Sequence, residues 1–234
     1  KYLFFVILFF QLQIMIANNQ TNINFKLKEE IKLLSKQFNK IPKERKKQIN
    51  EIANYIAKKL NSNQSVNLVF ICTHNSRRSH ISQLWSIASS HYFNLPNINC
   101  FSGGTEVTAF NNRAIKALKK VGFEIEVIEE GTNPKYRCNI GQSLPEIIAF
   151  SKKYDDPVNP QKDFAAIMVC SDADQNCPYI PTAESRFSLN YDDPKRFDNT
   201  LREEQEYDKT VKLIGTEIVY LFKLVKEKLT TQSN

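Results

Sequence analysis

The sequence predicts an α/β domain: a four-stranded parallel sheet with helices on both faces, preceded by an N-terminal helical hairpin. Three patterns predict it. A short, nearly continuous apolar run at Val66–Ile71 marks a strand buried on both faces, and further strands are expected at Ile98–Phe101, Phe123–Ile128 and Phe164–Val169. Segments with apolar residues at helical spacing alternate with them, as βα units require. Two amphipathic stretches with lysines between their apolar positions come before the first strand.

From Phe25 to Ile41, Leu27, Ile31, Leu34 and Phe38 recur at helical spacing. Pro42 suits the first turn of a second helix, where Ile49, Ile52, Ala53, Ile56, Ala57 and Leu60 form one stripe. These residues, 25–62, are expected to form a basic hairpin, and the polar NSNQS that closes at Ser65 reads as a linker to a catalytic domain over 66–229. Beyond the first strand, a helix over Ser79–Phe93 buries Ile81, Leu84, Trp85 and Ala88. The second strand ends at the turn Ser102-Gly103-Gly104, and a helix over Asn112–Val121 is closed by Gly122. Phe123–Ile128 is expected as the third strand, residues 129–162 as a long excursion around Ile147–Phe150, and Phe164–Val169 as the fourth strand. The last helix is expected from about Leu201 to Leu229, with Val211, Ile214, Ile218, Leu221 and Leu224 inward. Ligands on parallel sheets bind at the carboxyl ends of strands, and the first and fourth strands each deliver a cysteine there, Cys72 and Cys170.

The net charge of +7 is unevenly placed. Lys26 to Leu60 holds 11 Lys/Arg against 4 Asp/Glu, whereas the chain after Leu60 holds 20 against 21. Such lysines read as the solvated face of amphipathic helices. A nucleic-acid or membrane-binding protein is the reading from another class, but the hairpin offers only Phe25, Phe38 and Tyr55 as aromatics and no glycine-rich surface, so nucleic acid is not an expected partner. Residues 1–24 form an apolar, then polar, leader. Its unbroken apolar run ends at Gln11, short of the ~20 residues of a spanning helix. Only Ala17 suits a signal cleavage site, and Met15 is a candidate start. The expectation is a cytoplasmic protein, with secretion or membrane anchoring as the alternative if the apolar segment is retained. Five cysteines (Cys72, Cys100, Cys138, Cys170, Cys177) are too few and too scattered for a disulfide scaffold, and no paired C-x2-C elements point to zinc, so no metal is expected.

The stretch VNLVFICTHNSRRSHISQLW carries the chemistry. A strand ends at Cys72, five polar residues follow, and a helix begins near Arg78-Ser79. A loop entering a helix aims several backbone N–H groups at one spot, where the helix dipole adds positive potential, so an oxyanion fits. Arg78 supplies a planar fork that grips two oxygens, which Lys cannot do. The same field favours the thiolate of Cys72, and Ser79 can donate its hydroxyl to that sulfur. Asn75 is suited to holding the loop or to a positive φ. Thr73, His74, Asn75, Ser76, Arg77, Arg78 and Ser79 are the expected oxyanion-binding residues. A lone Cys-x5-Arg match is common; the strand before it and the helix after it give this one its meaning.

C-T-H-N-S-R-R-S resembles the phosphate loop of low-molecular-weight protein tyrosine phosphatases and of the thioredoxin-coupled arsenate reductases that share their fold. His74 stands where the family usually has Gly, and Arg77 where it commonly has Cys. A second segment, CSDADQNCPYIP from Cys170, closely resembles the redox stretch of those arsenate reductases and is the more specific signature. Tyr191-Asp192-Asp193-Pro194 follows; by resemblance Asp193, directly before Pro, is the general acid, although Asp155-Asp156-Pro157 repeats the triplet in an ordinary loop. The resemblance spans roughly Val66 to Leu229 and implies an arsenate reductase. Cys72 attacks arsenate, Asp193 protonates the departing oxygen, Cys170 attacks Cys72, and Cys177 takes over the disulfide for an external thioredoxin-type protein to reduce. No cofactor is implied. The alternative within the same resemblance is a phosphatase acting on phosphate monoesters through a phosphocysteine. Lys195-Arg196-Phe197 after the Asp-Pro pair is less suited to gripping a phosphotyrosine ring than the aromatics of phosphatase members.

Overall fold

The computed structural model describes residues 23–176 and 179–231. Nearly all of the leader at 1–24 and Cys177 lie outside them. The chain runs through α1 (Phe25–Ser35), a 3-10 turn (Phe38–Lys40), α2 (Lys43–Asn61), β1 (Val66–Cys72), α3 (Arg78–Tyr92), β2 (Ile98–Gly104) and α4 (Asn112–Lys120). It continues through β3 (Glu124–Glu129), β4 (Lys135–Asn139), β5 (Ile147–Ala149), β6 (Phe164–Met168), α5 (Ser171–Asn176), β7 (Ala183–Ser188), a second 3-10 turn (Pro194–Phe197) and α6 (Glu203–Thr231). Caps follow the local chemistry. Asn24 Oδ1 accepts from Leu27 N at 2.9 Å to open α1, and Asn111 Oδ1 accepts from Arg113 N at 2.9 Å to open α4.

A four-stranded parallel sheet in the order β2-β1-β6-β7 forms the centre. Its membership differs from expectation in one strand. The segment 123–128 does not join it; β3 pairs antiparallel with β4, and β4 with β5, in a separate three-stranded sheet. The charge pattern explains why. In β3 (EIEVIE) three glutamates alternate with apolar residues and only Ile125 is buried, so the strand has one dry face and suits the edge of a small sheet. The fourth parallel strand is β7 (AESRFS), whose polar composition hides its role. Residues 129–162, expected as an excursion, supply β4 and β5.

The core is continuous from the sheet to the N-terminal helices. Leu27, Ile31 and Leu34 of α1 and Ile49, Ile52 and Ile56 of α2 belong to the same buried cluster as Leu68, Phe70 and Ile167. Both helices lean on α6. The apolar stripes of residues 25–62 need a surface to bury against, and the rest of the domain supplies it: they complete this core and leave the lysines between them facing solvent.

α3 is enclosed between the sheet and α6, with Trp85 donating from Nε1 to the Val211 carbonyl at 3.0 Å. Opposite it Gly215 lets α6 approach: a Cβ there would lie 2.6 Å from Trp85 Cε2 and 2.8 Å from Leu34 Cδ1. Gly in a helix interior is locally unfavourable, so packing keeps it. Gly215→Ala is expected to lower stability by about 1–3 kcal/mol through overpacking, read as a shift in the urea midpoint at unchanged slope. Among the described residues no helix is long and apolar enough to cross a membrane.

Candidate active site

Neighbouring parallel strands end side by side. Cys72, the last residue of β1, lies opposite Gly104 of β2, and Val169 N, just past β6, donates to Ile71 O at 2.8 Å. The strand ends therefore bring Cys72 and Cys170 to one edge of the sheet, and the chain between Cys72 and α3 curls over that edge.

The loop is held from within and from outside. Cys72 Sγ lies 3.1 Å from Ser79 Oγ, which also accepts from Asn75 Nδ2 at 2.8 Å. Asn75 takes the positive φ of the loop, 44°, which its short amide tolerates; His74 does not need one. Asn75 Oδ1 accepts from Lys152 N at 2.9 Å, and Ser151 Oγ donates to His74 O at 2.9 Å. Ser76 Oγ donates to Ala109 O at 2.7 Å, and Thr73 O accepts from Glu106 N at 2.8 Å. Gly104 gives the loop room: a Cβ there would meet Thr73 O and Asn75 N at 2.7 Å. The His74 imidazole sits at the mouth, 3.3 Å from Glu106.

Arg78 and Asp193 meet beside the loop. Arg78, the first residue of α3, is buried; Nη1 donates to Tyr191 O and Nη2 to Asp193 Oδ2, both at 2.8 Å. Its Nε is buried and has no partner among the described residues. Arg77 forks onto the same carboxylate, Nε to Oδ1 at 2.8 Å and Nη2 to Oδ2 at 3.2 Å. Asp193 also caps the second 3-10 turn by accepting from Lys195 N at 3.0 Å. Burial works to raise the Asp193 pKa, but the Arg78 and Arg77 guanidiniums outweigh it and hold the carboxyl below its ordinary value.

Cys170 is fully buried just before α5; its Sγ shares a hydrogen bond with Thr73 Oγ1 at 3.5 Å and accepts from Ala173 N at 3.4 Å. The short α5 is anchored by Asp174, which accepts from Arg186 at 2.6 Å, Ser188 at 2.8 Å and Asn190 at 2.8 Å. Burial pushes the Asp174 pKa up, but these three donors and the Arg186 charge bring it below normal. Cys100 and Cys138 stand apart, buried in β2 and β4; desolvation pushes the Cys138 thiol up to about 12 and raises that of Cys100 as well, which disfavours a reactive thiolate at either position.

Three supports escape sequence reasoning. Ser151 and Lys152 lie in a stretch without periodicity, and their contact with the loop is a tertiary fact. Lys152 is only 3% exposed, with its Nζ 4.8 Å from the Phe150 ring centre, and burial brings it down to about 8. Arg45 of α2 reaches the segment before Asp193: it donates to Asn190 O at 2.7 Å and to Glu217 at 2.8 Å, and lies over the Tyr191 ring at 4.7 Å. Among the described residues no group of three His, Cys, Asp or Glu side chains is placed to hold a metal.

The chain is 30% identical over 129 residues to arsenate reductase 2 of Staphylococcus epidermidis, covering 54% of this chain and 77% of that protein. It is as similar, over the same shares, to an arsenate reductase of Staphylococcus aureus. The chain belongs to the arsenate reductase family. It is accordingly an enzyme. No family model matches the chain. Among solved structures it is similar to a low-molecular-weight phosphotyrosine phosphatase from Vibrio cholerae, at 15% identity and TM-score 0.47 over 68% of this chain and 95% of that one. It is also similar to a thioredoxin-dependent arsenate reductase of Corynebacterium glutamicum, at 21% identity and TM-score 0.41 over 79% and 71%.

Proposed function

We propose that this enzyme reduces arsenate to arsenite through its own cysteines and returns to the dithiol state with a thioredoxin-type protein. The observation that carries this reading is the second thiol: Cys170 Sγ bonds to the Thr73 hydroxyl, one residue from the loop cysteine, where a pure ester hydrolase has no use for it. Arsenate enters on the loop N–H groups and the free Nε of Arg78. The Cys72 sulfur attacks arsenic and an oxygen departs as water, with Asp193 delivering the proton. At rest Asp193 is paired with two arginines; displacement from Arg78 by a dianion raises its affinity for a proton when one is needed. The Cys170 sulfur then attacks Cys72 Sγ, its thiol proton passing to an oxygen of the departing arsenic group. The sulfur–arsenic bond breaks, its electron pair stays on arsenic, and arsenite leaves behind a Cys72–Cys170 disulfide. Cys177 attacks Cys170, frees Cys72, and leaves a Cys170–Cys177 disulfide for an external dithiol to reduce.

Mass mapping of the thiols after one turnover tests this. Arsenate without reductant should leave a disulfide containing Cys170, whereas phosphate ester should leave every thiol free. Free thiols after arsenate, together with rapid ester hydrolysis, would assign the enzyme to phosphate monoesters instead.

A further inference from the structure

Arg77 belongs to the anion loop, yet its guanidinium faces a carboxylate. Its Nε and Nη2 fork onto the two oxygens of Asp193, and the same Oδ2 accepts from Arg78 Nη2 at 2.8 Å. One carboxylate thus bridges two buried guanidiniums. With Nη1 of Arg78 engaged by Tyr191 O, the edge of Arg78 left for a two-point grip is Nε with Nη2, and Asp193 covers half of it. An oxyanion that takes this edge must move Asp193 off Nη2. The displaced carboxylate would then lie beside a dianion in a partly dry site, a costly arrangement unless another cation holds it.

We propose that Arg77 is a positioning residue for Asp193, a latch that retains the carboxylate at the rim while the oxyanion replaces it on Arg78. The proposal rests on the reading of the loop as an oxyanion site. In this role Arg77 need not touch the oxyanion. It gives Asp193 a second resting place, so that binding exchanges one bond on Arg78 for another without leaving an unpaired carboxylate, and the acid stays near the leaving oxygen.

A double-mutant cycle on the full chain tests it, with inorganic phosphate as the probe and calorimetry as the measurement. The four proteins are the parent, Arg77→Gln, Asp193→Asn and the double variant. Simple loss of a positive charge weakens phosphate equally in both backgrounds. The latch instead predicts a loss about tenfold greater when Asp193 is present than when Asn replaces it, the scale of one charge-assisted hydrogen bond. Arg77→Lys keeps the charge without the fork and should bind phosphate with intermediate affinity; it carries the cycle if Arg77→Gln does not fold. Equal losses in the two backgrounds, or no loss in either, overturn the latch while leaving arsenate turnover by the parent untouched. A parent that binds neither phosphate nor arsenate overturns the oxyanion reading along with it.

Discussion

Cys170→Ser should lower arsenate turnover by at least about 10³-fold, some 4 kcal/mol in barrier, while leaving any phosphate-ester hydrolysis within about twofold of the parent. The selectivity follows from where the sulfur lies. Cys170 is fully buried behind Thr73, and its bonds to the Thr73 hydroxyl and Ala173 N can be kept by a serine hydroxyl. The loop, Arg78 and Asp193 therefore stay in place, and ester cleavage, which uses only those groups, continues. Reduction of arsenic fails because an alkoxide does not displace arsenite from sulfur or form a sulfur–sulfur bond. Steady-state assays with both substrates on one preparation provide the measurement. Equal loss of both activities would show that Cys170 supports the loop and does not carry electrons; retention of both would remove it from the reaction.

Arg78→Lys should cost about 10²- to 10³-fold in kcat/KM with either substrate, the range for losing a preorganised oxyanion donor. Conservation of charge does not help, because three jobs fall to three nitrogens. Nη1 holds the Tyr191 carbonyl, Nη2 holds Asp193, and Nε, buried without a partner among the described residues, is the donor assigned to the oxyanion in the proposed mechanism. A lysine concentrates its donors on one atom and cannot span them. The Tyr191–Asp193 segment should also loosen, so the loss is expected in kcat as well as KM. A variant with parental kcat/KM would exclude this guanidinium from oxyanion binding.

The most legible part of the protein was the part whose function depends on neighbours in the chain. An apolar strand, a polar turn with Asn75, and a helix opening on Arg78 form a contiguous candidate anion loop, and the bonds Cys72–Ser79 and Asn75–Ser79 span only a few residues. Asp193 was legible through Asp-Pro and its place after the second cysteine segment, but not its partners. Nothing in the local pattern says that it bridges Arg77 and Arg78, whose separation from it in sequence exceeds a hundred residues. The sheet was misread where burial and composition part. β3 alternates like a strand but has a charged face, and β7 is polar because it closes the sheet at its edge. Residues 25–62 showed stripes that must be buried, but that the covering surface is α6, more than 140 residues away, could not be read locally.

The amino-acid order alone singled out the candidates for chemistry: a thiol at a strand end, a guanidinium at a helix start, two further cysteines and an acid before proline. These follow from residue type and short-range periodicity, which act over one or two turns of chain. Only the tertiary structure decided which groups meet: Cys170 at Thr73, Asp193 across two arginines, Lys152 and Ser151 beneath the loop, and Arg45 behind the acid segment. Those contacts depend on the strand order β2-β1-β6-β7 and on a shared core. Both are set by the packing of the whole chain, where many weak apolar contacts outweigh what any single segment prefers.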